Sequence, residues 1–202
     1  MLNWFISKTI EAYTSIKMKY GSTFKVENVD KSVTTMTLTE LKTLSGMLAT
    51  TAEINRTCDV STRIVNVTAS TLTVTEALHD NKIVTLNRAA GITTTLPAAT
   101  GSGAKFRFLI GTTVTSNTTV IKVANASDAF QGFSQIVSDD TAAVKGFIAT
   151  AGTDDTITLN GTTTGGYVGD IIEVQDVATN RFQVQVTGKA TGTEATPFSA
   201  TV

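Results

Sequence analysis

Few residues of this chain have side chains suited to acid–base, nucleophilic or metal chemistry, since its 202 residues include one histidine and one cysteine. His79 has no second histidine with which to build a metal site, and the Gly-x-Ser-x-Gly sequence of serine hydrolases is absent. Cys58 lies between Thr57 and Asp59, which offer no cation to activate its thiol. We therefore expect no catalytic residues, no metal ligands and no cofactor, and we interpret the protein as a non-enzyme.

Two pairs of adjacent carboxylates, Asp139-Asp140 and Asp154-Asp155, are the remaining candidates for a cation site. Neither pair lies in the pattern of alternating ligands and a bidentate glutamate that defines a calcium loop. Aspartate is common in turns, so we predict two solvated turns. The run Gly101-Ser102-Gly103 is too short for a phosphate-binding Walker loop and also predicts a turn.

Composition and charge exclude several classes of protein. A formal charge of −1, from 16 Lys+Arg and 17 Asp+Glu, argues against a nucleic-acid binder. No apolar run approaches the roughly 20 residues of a transmembrane helix, so no membrane span is expected. The N-terminal residues lack the basic start of a signal peptide, which predicts synthesis without export. The 40 threonines and 15 glycines favour strands and turns.

Short alternating segments after residue 60 predict a mainly β body over residues 60–202. Apolar side chains alternate with polar ones, and glycine, asparagine, aspartate or serine separates the segments, as in an antiparallel β-sandwich or barrel-like body. Because no stretch of 10 to 12 helical residues lies between them, parallel βαβ winding is not expected. The predicted strands are 63–68, 71–75, 83–87, 92–96, 105–110, 119–124, 144–150, 156–160, 170–176 and 182–187.

Residues 1–36 form the predicted N-terminal arm, a short helix followed by a hairpin. Apolar residues at helical spacing cover 2–13, and alternation over 16–26 indicates two strands around a turn at Gly21-Ser22. The alternative is one helix over 2–20 that ends at Gly21. Because so small a segment cannot bury its own apolar groups, we predict that it attaches the protein or joins its copies; the alternative is that it packs on its own body as an ordinary terminal element. The residues assigned to this surface are Leu2, Trp4, Phe5, Ile6, Ile10, Tyr13, Ile16, Met18 and Tyr20.

Residues 37–59 contain a small repeat that links the arm to the body. The copies TLTEL (37–41) and TTAEI (50–54) both carry the Thr-x-x-Glu spacing of a capping box. In that motif the threonine hydroxyl and the glutamate carboxylate satisfy free amides in the first turn of a helix. The repeat therefore predicts two short helical turns.

Four segments resemble head decoration, or cement, proteins of tailed bacteriophages. They are NRAAGITTTLPAATGSGAKFRF (87–108), IKVANA (121–126), DTITLNGTTTGG (155–166) and GTEATPF (192–198). The Thr-x-x-Glu-Leu/Ile repeats are similar to segments that recur in phage fibre and decoration proteins. The resemblance covers about residues 37–202, and residues 1–36 match nothing in the family.

The resemblance implies a structural protein that binds the assembled capsid and stabilises it, often as a homotrimer. The expected partner is the major capsid protein, and the expected location is the capsid surface of the virion after synthesis in the host cytoplasm. The alternative is a tail-fibre or surface module that binds a host glycan or protein. Exposed aromatic residues on the loops of the body would favour this alternative, because sugars stack on aromatic rings. The candidates are Phe130, Phe133, Phe147 and Tyr167.

Overall fold

A computed structural model describes residues 23–27, 33–37, 54, 63–140 and 143–202 of the chain. The chain divides into two compact units, residues 1–51 and residues 52–202. In the first unit, strands β1 (Thr23–Glu27) and β2 (Val33–Thr37) pair antiparallel. The predicted strand in the second half of the arm is therefore present, but its described partner is β2. The segment 16–20, which the sequence predicted as the partner, lies outside the described residues.

The second unit contains twelve strands and one short helix, α1, in its described residues. Every strand predicted in the body is present, and β7 has the predicted bounds. The elements are β3 (Ile64–Val67), β4 (Thr71–Thr73), α1 (Glu76–His79), β5 (Lys82–Leu86), β6 (Thr93–Thr95), β7 (Lys105–Ile110), β8 (Thr119–Lys122), β9 (Ala129–Ser138), β10 (Val144–Ala149), β11 (Thr156–Leu159), β12 (Ile171–Ala178), β13 (Arg181–Ala190) and β14 (Phe198–Ser199).

The strands of the second unit form two mixed sheets, which confirms a mainly β, sandwich-like body. The seven-stranded sheet has the order β10-β9-β13-β12-β7-β5-β3, and the five-stranded sheet has the order β14-β11-β8-β6-β4. From β3 to β8 the chain places successive strands in alternate sheets. It therefore winds around the core, and each turn adds a strand beside the previous strand of the same sheet.

This winding corrects the prediction that the sheets are antiparallel. Strands β3, β5 and β7 pair parallel in one sheet, and β4, β6 and β8 pair parallel in the other. Parallel neighbours require a long crossover connection, which is usually a helix. Here the crossover contains a strand of the opposite sheet, so no helix is needed. The remaining sheet contacts are antiparallel except for the parallel pair β9 and β13.

The core lies between the two sheets and consists of the inward residues of the alternating strands. In β7, Phe106 and Phe108 are fully buried, whereas Lys105 and Arg107 are exposed. Burying a large apolar side chain contributes about 1.5–3 kcal/mol, so aromatic residues at these positions are a major source of stability. The largest buried side chains are Phe106, Phe108, Phe130, Phe182, Leu86, Ile92, Leu96, Ile110, Ile121, Ile136, Ile157 and Leu159.

Strand β9 is the longest element that the sequence did not predict. Its alternation is broken near Gly132, which has φ of +144°. A Cβ atom at this position would lie 1.9 Å from the carbonyl oxygen of Val184 in the neighbouring strand β13. Only glycine permits this close approach of two backbones, and the same glycine interrupts the pattern by which a strand is recognised.

Candidate functional site

The outer face of the seven-stranded sheet carries a continuous row of paired positions that crosses all its strands. The centre of the row is polar, and Arg107 Nε lies 3.5 Å from a carboxylate oxygen of Glu173. Both ends are apolar, with Ile64 and Ile83 at one end and Phe133 and Ile148 at the other. In order of pairing, the row is Ile64, Ile83, Arg107, Glu173, Gln185, Phe133 and Ile148.

A groove of about 480 Å³ lies over the polar centre of this face. Its charged side chains are Lys82, Lys105, Arg107 and Glu173, and glutamines from β12 and β13 add amide groups. Cations and amides can bind carboxylate or other polar ligands, so the groove offers the groups of a polar binding surface.

Four exposed apolar side chains at the β10 end of the sheet form what we call the β9–β10 patch: Phe133, Val137, Val144 and Ile148. They belong to two facing pairs, because Phe133 pairs with Ile148 and Val137 pairs with Val144. Ile148 is 82% exposed and Val144 is 58% exposed. Grouped apolar exposure of this kind makes the patch a candidate surface for contact with another molecule.

His79 is buried at the end of helix α1, where its side chain contacts the backbone at the start of the same helical turn. The sequence predicted a histidine near a turn, whereas the structure places it in a helical turn with 5% exposure. Its Nδ1 lies 3.0 Å from the backbone nitrogen of Thr75 and 3.1 Å from the Thr75 carbonyl oxygen. The neighbouring Asp80 accepts a hydrogen bond from the backbone nitrogen of Lys105. These contacts fasten α1 to the body.

The run Gly101-Ser102-Gly103 forms a turn, as predicted, and the turn surrounds a carboxylate of the protein itself. Asp176, 1% exposed in β12, accepts hydrogen bonds from the backbone nitrogens of Thr100, Gly101 and Ser102 at 2.8–3.0 Å. The hydroxyls of Thr100 and Ser102 also contact this carboxylate. Gly101 has φ of +81°, which lets consecutive amides point to one anion. The carboxylate thus fixes the turn that leads into β7.

Asp170 fixes a second turn, just before β12. Its carboxylate accepts hydrogen bonds from the backbone nitrogens of Gly166, Tyr167 and Lys189 at 2.8–3.2 Å. A Cβ atom at Gly188 would lie 2.7 Å from Cγ of Asp170, so the absence of a side chain there makes room for the carboxylate. Sequence reasoning missed both aspartates.

The two carboxyl groups have opposite pKa shifts. Burial raises the pKa of Asp170 above its usual 3.8, and the surrounding amides with Lys189 offset only part of this effect. Burial also raises the pKa of Asp176, but the amides of Thr100, Ser102 and Gly101 and the Ser102 hydroxyl together hold it below 3.8. The two shifts therefore predict that the free energy of unfolding depends on pH through two components of opposite sign.

We expect the Asp170 component to increase stability as the solution becomes acidic. Its folded pKa lies above its unfolded pKa, so the free energy of unfolding increases as pH falls through the folded value towards the unfolded one. Asp176 has a lowered folded pKa, and its contribution is lost as pH falls through that folded value.

Urea denaturation from about pH 6 to about pH 2.5 measures both components when the native chain is compared with Asp170→Asn and Asp176→Asn. The stability advantage of the native chain over Asp170→Asn should grow as pH falls towards 3.8. Its advantage over Asp176→Asn should shrink below 3.8. If the differences in stability between the native chain and the two variants stay constant with pH, this assignment is wrong.

The prediction of two solvated aspartate pairs is correct for one pair and wrong for the other. Asp139 and Asp140 are exposed. Asp155 is buried and accepts hydrogen bonds from the backbone nitrogens of Thr201 and Val202 and from the Thr156 hydroxyl. It is buried because the last residues of the chain supply amides that replace water around the carboxylate.

The residues predicted to bind a partner, at positions 2 to 20, lie outside the described residues, as does Cys58. The capping-box repeat also lies outside them apart from Thr37, which ends β2, and Ile54. Among the aromatic candidates, Phe130 is fully buried and Phe147 packs on the core. The Tyr167 hydroxyl contacts the Thr191 hydroxyl, and Phe133 belongs to the β9–β10 patch.

Within residues 63–140 and 143–202, no three side chains of histidine, cysteine, aspartate or glutamate come together as metal ligands would. No helix in the described part of the chain is long and apolar enough to cross a membrane. Comparison with protein families, curated proteins and solved structures finds no match. The function is therefore inferred from the residues of the chain and their geometry.

Proposed function

We propose that this protein is a structural protein of a bacteriophage virion that decorates and stabilises the assembled head. Its partner is the major capsid protein, its location is the capsid surface, and its expected assembly is a homotrimer. The observation that carries the proposal is the resemblance of residues 87–108 to cement proteins. In the structure this segment contains β6, the first four residues of β7 and the turn around Asp176, so the resemblance falls on residues that build the body.

The distribution of surface side chains supports a structural role. The outer sheet face presents a polar groove and apolar ends, a combination suited to a broad contact with another protein. The reactive side chains that the sequence offers are used for structure where they are described: His79 contacts the Thr75 backbone, and Asp155 holds the C-terminal residues.

The aromatic residues favour capsid decoration over the glycan-binding alternative. A sugar site needs exposed rings that lie together, whereas Phe130 is buried and Phe147 packs on the core. Lys189 lies over the ring of Tyr167, with its Nζ 5.4 Å from the ring centre. Phe133 is thus left without a neighbouring exposed ring from this set.

Immunogold imaging of purified virions with an antibody against this chain tests the proposal. We expect label over the surface of the head. Label at the tail tip would replace the proposal with the fibre alternative, and virions without label would contradict both.

A further inference from the structure

Within the described residues, β10 is the longest strand at an edge of either sheet of the body. An exposed edge strand presents free backbone groups that pair with other chains, and proteins commonly protect themselves by keeping such strands short. The other sheet edges of the body are β3, β4 and β14, with four, three and two residues. Strand β10 has six residues.

The direction of the free backbone groups follows from the ladder between β9 and β10. The backbone nitrogen of Ser138 donates to the Ala143 carbonyl oxygen at 3.1 Å, which makes these residues a hydrogen-bonded pair. Such pairs alternate with non-bonded pairs along an antiparallel ladder. The N–H and C=O groups of Val144, Gly146 and Ile148 therefore point away from β9, towards the open edge.

The surroundings of this edge leave room for an added strand. A groove of about 440 Å³ lies beside it, lined by Gly146, Phe147 and Ile148 on β10 and by Thr196 and Phe198 nearer the C-terminus, among others. The one charged residue of β10 is Lys145, whose neighbour in the ladder is the inward Ile136. The side chain of Lys145 therefore lies on the opposite face of β10 from Val144 and Ile148, and the side chains of the outer face are apolar.

The sequence of β10 is complementary to itself in one antiparallel register. If Gly146 lies opposite Gly146 of a second copy, Val144 of each copy lies opposite Ile148 of the other. All these positions are the ones with outward backbone groups, so each pair can exchange two hydrogen bonds. The same register joins the two β9–β10 patches into one apolar stripe that is interrupted at its centre by Gly146 and the exposed Gln135 of each copy.

We propose that a second copy of this chain adds its β10 to this edge in that register, so that two seven-stranded sheets continue into one. The contact has twofold symmetry, with the same surface used by both copies. Its energy comes from backbone hydrogen bonds at the edge and from burial of Val144, Ile148, Phe133 and Val137. This twofold contact is distinct from the threefold contacts of the proposed homotrimer, so it joins two chains or two such trimers, and it does not depend on the proposed role in the virion.

Sedimentation of the full-length chain over a range of concentrations tests the pairing. We expect reversible dimerisation, and we expect Ile148→Lys to raise the dissociation constant roughly a hundredfold, because it places a charge in the apolar stripe of each copy. Ile148 is 82% exposed, so the substitution should leave folding unchanged. Far-UV circular dichroism and the urea midpoint check this.

Two control variants locate the contact. Val168→Lys places the same charge at an exposed apolar position away from the strands, and Ile64→Lys places it on the opposite edge of the sheet. Both should dimerise like the native chain. Loss of the dimer in Ile64→Lys but not in Ile148→Lys would overturn the proposal in favour of an interface at β3.

Amide hydrogen exchange gives a readout at individual residues. The amides of Val144, Gly146 and Ile148 should exchange more slowly as concentration rises, whereas those of Lys145 and Phe147, already paired to β9, should not depend on concentration. A chain that stays monomeric, or an assembly in which the outward amides exchange freely, would overturn the proposal.

Discussion

Asp176→Ala should lower the free energy of unfolding by about 3–4 kcal/mol, a large effect for one substitution in the body. Three backbone amides, of Thr100, Gly101 and Ser102, donate to this carboxylate at 2.8–3.0 Å. Alanine would leave them without an acceptor in a site that is 1% exposed. The expected cost is below the sum of three buried unsatisfied donors, because the turn can relax towards water.

Urea denaturation at pH 7 measures this loss, and Asp139→Ala is the matched control. Asp139 is exposed and accepts one hydrogen bond, from the backbone nitrogen of Gly192 at 3.2 Å. Its replacement should cost less than about 0.5 kcal/mol. Asp176→Asn should fall between the two, because its amide keeps an acceptor oxygen but places a donor against the turn. Equal losses for Asp176→Ala and Asp139→Ala would contradict a structural role for the carboxylate.

The strands of the body could be predicted because their burial alternates with period two. In β7 this pattern predicts both bounds, since the buried Phe106, Phe108 and Ile110 alternate with the exposed Lys105 and Arg107 and the half-buried Leu109. Alternation identifies a strand and its buried face, but it contains no information on the neighbouring strand. The parallel pairs of β3, β5 and β7 arise from winding around the core, which the spacing of the strands does not reveal.

The alternation pattern that predicts the strands also places the buried aspartates on the inward face. Asp170 and Asp176 occupy the same parity as the buried Ile172 and Val174 of β12. A carboxylate at an inward position must find hydrogen-bond donors, so its parity indicates a structural anchor. Asp155 likewise has the parity of the buried Ile157 and Leu159 of β11, and its donors include the amides of residues 201 and 202.

Strand β10 was predicted as a strand, but its position at an edge was not. Edge positions depend on the order of strands in the sheet, and the sequence of β10 resembles that of an interior strand. The resemblance of β10 to an interior strand supports the proposed pairing. An edge strand with one charge and two strongly exposed aliphatic side chains is typical of a strand that has a partner.

Removal of residues 1–30 should abolish incorporation into virions while leaving the body folded. The removed segment includes β1 and the apolar residues at positions 2 to 20 that the sequence predicts as the attachment surface. An isolated two-stranded hairpin is marginally stable in water, so these residues need a surface on which to pack. In the proposed function that surface is the capsid shell or neighbouring copies of the arm.

Particles assembled without this protein and then mixed with purified chain measure the effect as occupancy per particle. The truncated chain should bind at less than about a tenth of the full-length occupancy, a change of at least about 1.4 kcal/mol. It should also keep a β-rich circular dichroism spectrum and a cooperative urea transition, because the two sheets and their shared core lie within residues 63–202.

Full-length chain that carries Val168→Lys is the control, since it alters an exposed apolar position of the body and retains the arm. Its occupancy should equal that of the native chain. Normal occupancy of the truncated chain would show that the body itself binds the capsid. The polar groove and the apolar ends of the seven-stranded sheet would then be the surfaces on which to look for the contact, because they are the parts of the body that present grouped side chains to a large partner.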